Sequence, residues 1–101
     1  MNNKRRRDLS NVIDELNLVT NKDDLAMCIS MLEDLKSEEE DFYDNAPENL
    51  QYSMRYEMSQ EAIDNMEEAL NCLEQAEDCD DGDEFQGLIE DAISYIEDAS
   101  F

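Results

Sequence analysis

The sequence predicts an all-α protein, a three- or four-helix antiparallel bundle with short connections. Three observations carry this. Apolar residues recur at three- and four-residue steps along most of the chain, the period of an amphipathic helix. Only two Gly and one Pro occur in 101 residues, so little interrupts a helical backbone. No segment shows the strict alternation of a half-buried strand. The length suits one domain with a modest core, residues 1–101, and 41% hydrophobic residues are enough to build it.

Each helix follows from its own pattern. Leu9, Val12, Ile13, Leu16 and Val19 form a stripe that predicts a first helix over about 4–19. Lys4, Arg5, Arg6 and Arg7 lie in its first turn, the unfavourable end of the macrodipole for cations. Compensation must come from acids on a neighbouring helix or a second subunit. Thr20 to Asp24 interrupts the periodicity. Thr20 or Asn21 can cap a new helix with Asp23 and Asp24 in its first turn, although one long helix through this point stays open. The second helix is predicted over about 22–43, with Leu25, Cys28, Ile29, Leu32, Leu35 and Phe42 on one face. Ala26, Met27 and Met31 widen that face, which predicts contact on two sides. Pro47 ends the segment, because it lacks an N–H and disfavours helix at Ala46. Glu48 to Tyr52 can form one short turn, and Ser53 is a candidate N-cap.

The third helix, about 53–78, has the clearest amphipathic pattern. Met58, Ala62, Met66, Ala69, Leu70, Leu73 and Ala76 share its core face, and Glu57, Glu61, Asp64 and Glu68 share the far side. Cys79 to Gly82 predicts a turn, and Asp81 with Glu84 three residues on forms a capping-box pattern. The fourth helix is predicted over about 83–98, with Phe85, Leu88, Ile89, Ala92 and Ile96 inward and Glu90, Asp91, Glu97 and Asp98 outward. The joint between the last two helices is expected to be the weakest, since the stretch from Glu77 through Glu84 holds six acidic residues.

The charge is the most informative feature. Twenty-nine acidic and seven basic residues give a net charge of −22. Charged residues make up 36% of the chain, against roughly 25% in a typical domain. From Ser37 to Phe101 one cation, Arg55, stands against 22 carboxylates. Such a balance excludes ordinary nucleic-acid binding and docking on anionic lipid, and favours basic partners, cations or a salt-rich setting. An ordinary solvated helix surface mixes signs, because a cation four residues from a carboxylate stabilises the helix. Here Glu57/Glu61 and Asp64/Glu68 place like charges at that spacing, at a few tenths of a kcal/mol per pair. Helix stability alone does not explain that choice.

Charge density gives a physical analogy. Residues 37–101 as helix would extend roughly 98 Å, or about one carboxylate per 4.4 Å, and about 2.2 Å once folded back on itself. Duplex DNA carries one charge per ~1.7 Å. The candidate partner-binding residues are therefore Glu38, Glu39, Glu40, Asp41 and Asp44, then Glu57, Glu61, Asp64 and Glu68, then Asp78, Asp80, Asp81, Asp83 and Glu84.

Other chemistry is poorly supported. The chain has no His, which removes imidazole catalysis and histidine metal ligands. Cys28, Cys72 and Cys79 are odd in number, lack CxxC spacing and have no cationic activator nearby in sequence, so they are expected to be small, reduced structural residues. Gly82 and Gly87 form no phosphate-cradling loop. The Asp78 to Glu84 segment resembles a calcium loop, but with Gly82 at the sixth position Cys79 and Leu88 fall where ligands are needed. No enzyme, cofactor or dedicated metal site is expected. Lys4 to Arg7 can be read as a nucleic-acid arm or a localisation tag, but such a start is more often a solvated tail and here can serve as an internal counterweight; the Met residues are read as core rather than an adaptable groove. No run approaches the ~20 apolar residues of a membrane span and no signal peptide is evident, so a cytoplasmic location is expected.

Two segments add a resemblance. Asp44-Asn45-Ala46-Pro47-Glu48-Asn49-Leu50-Gln51, then Ala62-Ile63-Asp64-Asn65-Met66-Glu67-Glu68-Ala69-Leu70, look like small acidic helical proteins of bacteriophages and mobile elements, which also begin with a Lys/Arg-rich turn like Lys4 to Arg7. The resemblance covers most of residues 4–77. The chain departs from that pattern at Thr20 to Asp24 and from Glu77 onward, and no functional residue carries over. What the resemblance implies is context: phage-borne inhibitors of host defence, including anti-CRISPR proteins that block the DNA-binding groove of an RNA-guided nuclease. The expected function is thus an inhibitor in the host bacterial cytoplasm that occupies a basic nucleic-acid groove by acidic DNA mimicry. The alternatives are a helical homodimeric structural or adaptor module joined through the wide second helix, and adaptation to high salt without a specialised partner.

Overall fold

The computed structural model describes residues 3–45 and 54–100, with side chains described for all of these except 54–56. Four helices follow in order: α1 (Asn3–Leu18), α2 (Leu25–Asp44), α3 (Met54–Glu77) and α4 (Gly82–Ala99). A short 3-10 turn, Lys22–Asp24, precedes α2, and no strand occurs among the described residues. The predicted joint around Pro47 and the predicted cap at Ser53 lie outside those residues.

The break after α1 is sharp. Asn21 is extended and its side-chain oxygen accepts from the Asp23 N–H at 2.9 Å, so the chain restarts as a 3-10 turn before α2 begins at Leu25, three residues later than predicted. At the other predicted cap, Asp81 accepts from the N–H groups of Asp83 at 2.9 Å and Glu84 at 3.1 Å. Two otherwise unsatisfied donors are thereby met, and carboxylates stand at the favourable end of the α4 dipole. Gly82, predicted to lie in the turn, is the first residue of α4.

The helices run up, down, up, down. Each packs on two neighbours: α1 and α3 both lie against α2 and α4. The Cα trace spans 48 × 19 × 17 Å, a short rod. The core follows the predicted stripes, with Leu9, Val12, Leu16, Leu25, Leu32, Met66, Leu73 and Ile96 all fully enclosed.

The α3–α4 joint, expected to be the weakest, makes the most extensive helix contact in the bundle. Ala62, Ala69 and Ala76 on α3, and Ala92 and Ala99 on α4, recur every seventh residue and are all fully buried. Small side chains at that spacing let two backbones approach closely along their whole length. The acids of the connection stay outside this contact, exposed to solvent.

Candidate functional site

Helix α3 positions the first carboxylates. Its buried stripe turns Ala62, Met66, Ala69, Leu70, Leu73 and Ala76 inward, which obliges Glu57, Glu61, Asp64 and Glu68 to face solvent, and all four are exposed. None of them has an ion-pair or hydrogen-bond partner among the described residues.

Helix α4 carries a further set of exposed acids. Burial pushes the Cys72 thiol up from its ordinary value, and the nearby charges of Asp91 on α4 and Glu68 on α3 push in the same direction. Cys72 is half-buried and packs against the core. Glu90, Asp91, Glu97 and Asp98 are all exposed. The outward orientation of these α4 acids was legible in the periodicity.

The 78–84 connection contributes exposed acids, two of which already have internal roles. Asp80 accepts from Lys22 Nζ at 2.6 Å, and that bond holds the Asp80 carboxyl below its usual range while raising the Lys22 ammonium. Asp81 caps α4. Asp78, Asp83 and Glu84 remain directed to solvent. Cys79 Sγ donates to the Asp81 carbonyl at 3.3 Å. Among the described residues no three acids or thiols converge as a metal-holding group.

The α2 acids divide. Asp41 and Asp44 are exposed. Glu38 is half exposed, 4.0 Å from Lys4 Nζ. Glu40 accepts from Lys36 Nζ at 2.8 Å, which raises the Lys36 pKa. Glu39 does not belong to the outward row. It is fully buried, with Oε2 2.9 Å from Arg5 Nε, and the Arg5 guanidinium lies 5.7 Å from the Phe42 ring centroid. A cation at that distance is also attracted by the ring face. Phe42, predicted to face inward, is 38% exposed.

A sequence signal for the Arg5–Glu39 pair did exist. Continuing the stripe Cys28, Leu32, Leu35 by four residues reaches Glu39. Continuing Leu16, Val12, Leu9 back by four reaches Arg5. Both charged residues occupy core positions on adjacent helices, so they meet only if the two helices are antiparallel. The compensation that the cationic first turn of α1 requires comes from α2, with Lys4 Nζ also 2.9 Å from Asp8.

No described helix is long and apolar enough to cross a membrane. Comparison of the chain with protein-family models, curated proteins and solved structures returns no match.

Proposed function

We propose that this protein is an inhibitor that occupies the cationic nucleic-acid groove of a partner through the carboxylate face of α3 and α4. One observation carries the reading: the exposed acids of α3 and α4 have no ion-pair partner among the described residues, whereas on α2 Glu38, Glu39 and Glu40 each meet a cation. A face left uncompensated gains most from a surface that brings cations to it, and such complementarity gives fast association and orientation as well as affinity.

The scale supports the analogy with a nucleic-acid backbone. A net charge of −22 along a 48 Å axis is about one charge per ~2.2 Å, against one per ~1.7 Å of duplex DNA. A bundle with an enclosed core holds this charge on a rigid rod. The phage-like segments at residues 44–51 and 62–70 supply the context, a host defence nuclease of the RNA-guided type as the partner and a binding role rather than a catalytic one.

The test is capture from a bacterial lysate on the immobilised protein, with washes at about 0.1 and 0.5 M salt, where the Debye length falls well below ~10 Å. Bound partner should leave at the higher salt and be displaced by nucleic acid. The combined Glu57→Gln, Glu61→Gln, Asp64→Asn, Glu68→Gln variant should no longer retain it. Retention indifferent to salt, or unchanged in that variant, overturns the proposal.

A further inference from the structure

We propose that the groove between α1 and α2 is a second docking surface, and that its occupant is an amphipathic helix with large apolar residues on one face and Lys or Arg along its flanks. The groove lies on the α1–α2 side, so this inference does not rest on the role assigned to α3 and α4.

Three features define the surface. Leu18 is 72% exposed and Met27 58%, the largest exposures among the big apolar side chains described. Together with Val19 they line a depression of about 340 Å³, rimmed by Glu15, Asp23 and Asp24. A second depression of about 200 Å³ lies further along, beside Met31, with Asp34 and Glu38 at its edge. The α1 positions 8, 11, 15 and 18, and the α2 positions 27, 31, 34 and 38, step by three and four residues, so the two depressions belong to one continuous seam. The eleven steps from Met27 to Glu38 at 1.5 Å each give a length of about 17 Å, room for about three turns of a docked helix.

Charge selects the occupant. The apolar end has acids on its rim, and no cation is among the residues that line it. Lys22 is committed to Asp80. At the far end Lys4 is held by Asp8 and Glu38. A second copy of this chain would bring another −22 to an acidic rim, and an anionic lipid surface would be repelled for the same reason. An apolar helix flanked by cations satisfies the floor and the rim together, the mode in which helices enter hydrophobic grooves.

The probe is a synthetic peptide of about 16 residues with Leu at i, i+3, i+4 and i+7 and Lys elsewhere, the helix-in-groove pattern. A peptide of the same composition in scrambled order is the control, since it keeps the charge and loses the apolar face. With methyl-labelled methionine, the ordered peptide should shift Met27 and Met31 and leave the core residue Met66 in place. It should bind about tenfold more tightly than the scrambled one, the scale expected from covering two exposed apolar side chains. Leu18→Ser with Met27→Ser should abolish that advantage without unfolding the chain, because both side chains already face water. Asp34→Lys, at an exposed rim position, should weaken the ordered peptide as well. The variant neutralised on α3 should keep the ordered-to-scrambled ratio, which separates this surface from the carboxylate face. Equal affinity for the two peptides, shifts confined to α3 and α4, or an advantage that survives Leu18→Ser/Met27→Ser overturns the proposal. So does a dimer in sedimentation that the double variant dissociates, which would assign the groove to a second copy.

Discussion

Arg5 and Glu39 on one side of the bundle, and Glu61 and Glu68 on the other, show two treatments of charge in one small fold. Between α1 and α2 each helix carries the wrong sign for its own dipole: cations begin α1 and carboxylates end α2. Antiparallel packing turns both penalties into attraction, because the two ends lie side by side and Lys4 and Arg5 meet Glu38 and Glu39. Between α3 and α4 no such exchange occurs. The helices are joined by alanines and larger apolar residues, and their acids face water without partners among the described residues. Charge between α1 and α2 therefore helps specify the fold. On α3 the like charges at Glu57/Glu61 and Asp64/Glu68 have no such offset among the described residues and cost a few tenths of a kcal/mol per pair.

The largest effect should come from breaking the compensated side. Arg5→Ala takes the guanidinium away from the fully buried Glu39 carboxylate and should cost up to about 3–5 kcal/mol, read as a lower urea midpoint. Replacing both, Arg5→Met with Glu39→Leu, should recover most of that loss, because an apolar pair of similar volume is often as stable as a buried ion pair. If the double variant is as unstable as the single, the pair has a role beyond satisfying itself.

Removing the cap that starts α4 comes next. Asp81→Ala withdraws the acceptor from the Asp83 and Glu84 N–H groups and should cost about 1 kcal/mol in thermal or urea unfolding.

Neutralising the uncompensated side should do the reverse. Glu61→Gln with Glu68→Gln relieves the like-charge spacings to Glu57 and Asp64 and should stabilise the chain by a few tenths of a kcal/mol. That gain should shrink as added salt screens the repulsion. A loss of stability here would mean that these acids are paired after all, and the contrast between the two sides would fail.

The smallest effect belongs to the exposed Lys22–Asp80 bond. The Asp80 pKa is depressed from 3.8, so the stabilisation is present above that value and is lost as pH falls through the lowered folded one. The stability difference between the parent chain and Lys22→Met should therefore be small at neutral pH and close below pH 3.8. Urea unfolding of the pair across acid pH reads it directly.

Much of this architecture could be read before any packing was known. The α3 stripe from Ala62 to Ala76, the break at Asn21 and the cap at Asp81 are local features, and local features are written in periodicity and in the short polar side chains that satisfy backbone donors. Glu39 was misplaced for a physical reason. Four consecutive carboxylates read as a solvated run, and only the arrival of Arg5 from another helix makes one of them an interior residue. The extent of the α3–α4 contact follows from the seven-residue spacing of the alanines, which the acids of the turn do not reveal. Leu18 and Met27 could be recognised as apolar, but their exposure depends on the absence of a described helix over that side of α1 and α2.

By itself the sequence determined the helices, their inward faces and the excess of negative charge, since each depends on residues within a few turns of one another. Which acids are paired and which stand alone was decided only by tertiary structure. A carboxylate's partner is set by the helix that packs beside it: periodicity puts Glu39 and Arg5 at core positions of their own helices, and only antiparallel packing brings the two together across more than 30 residues of chain.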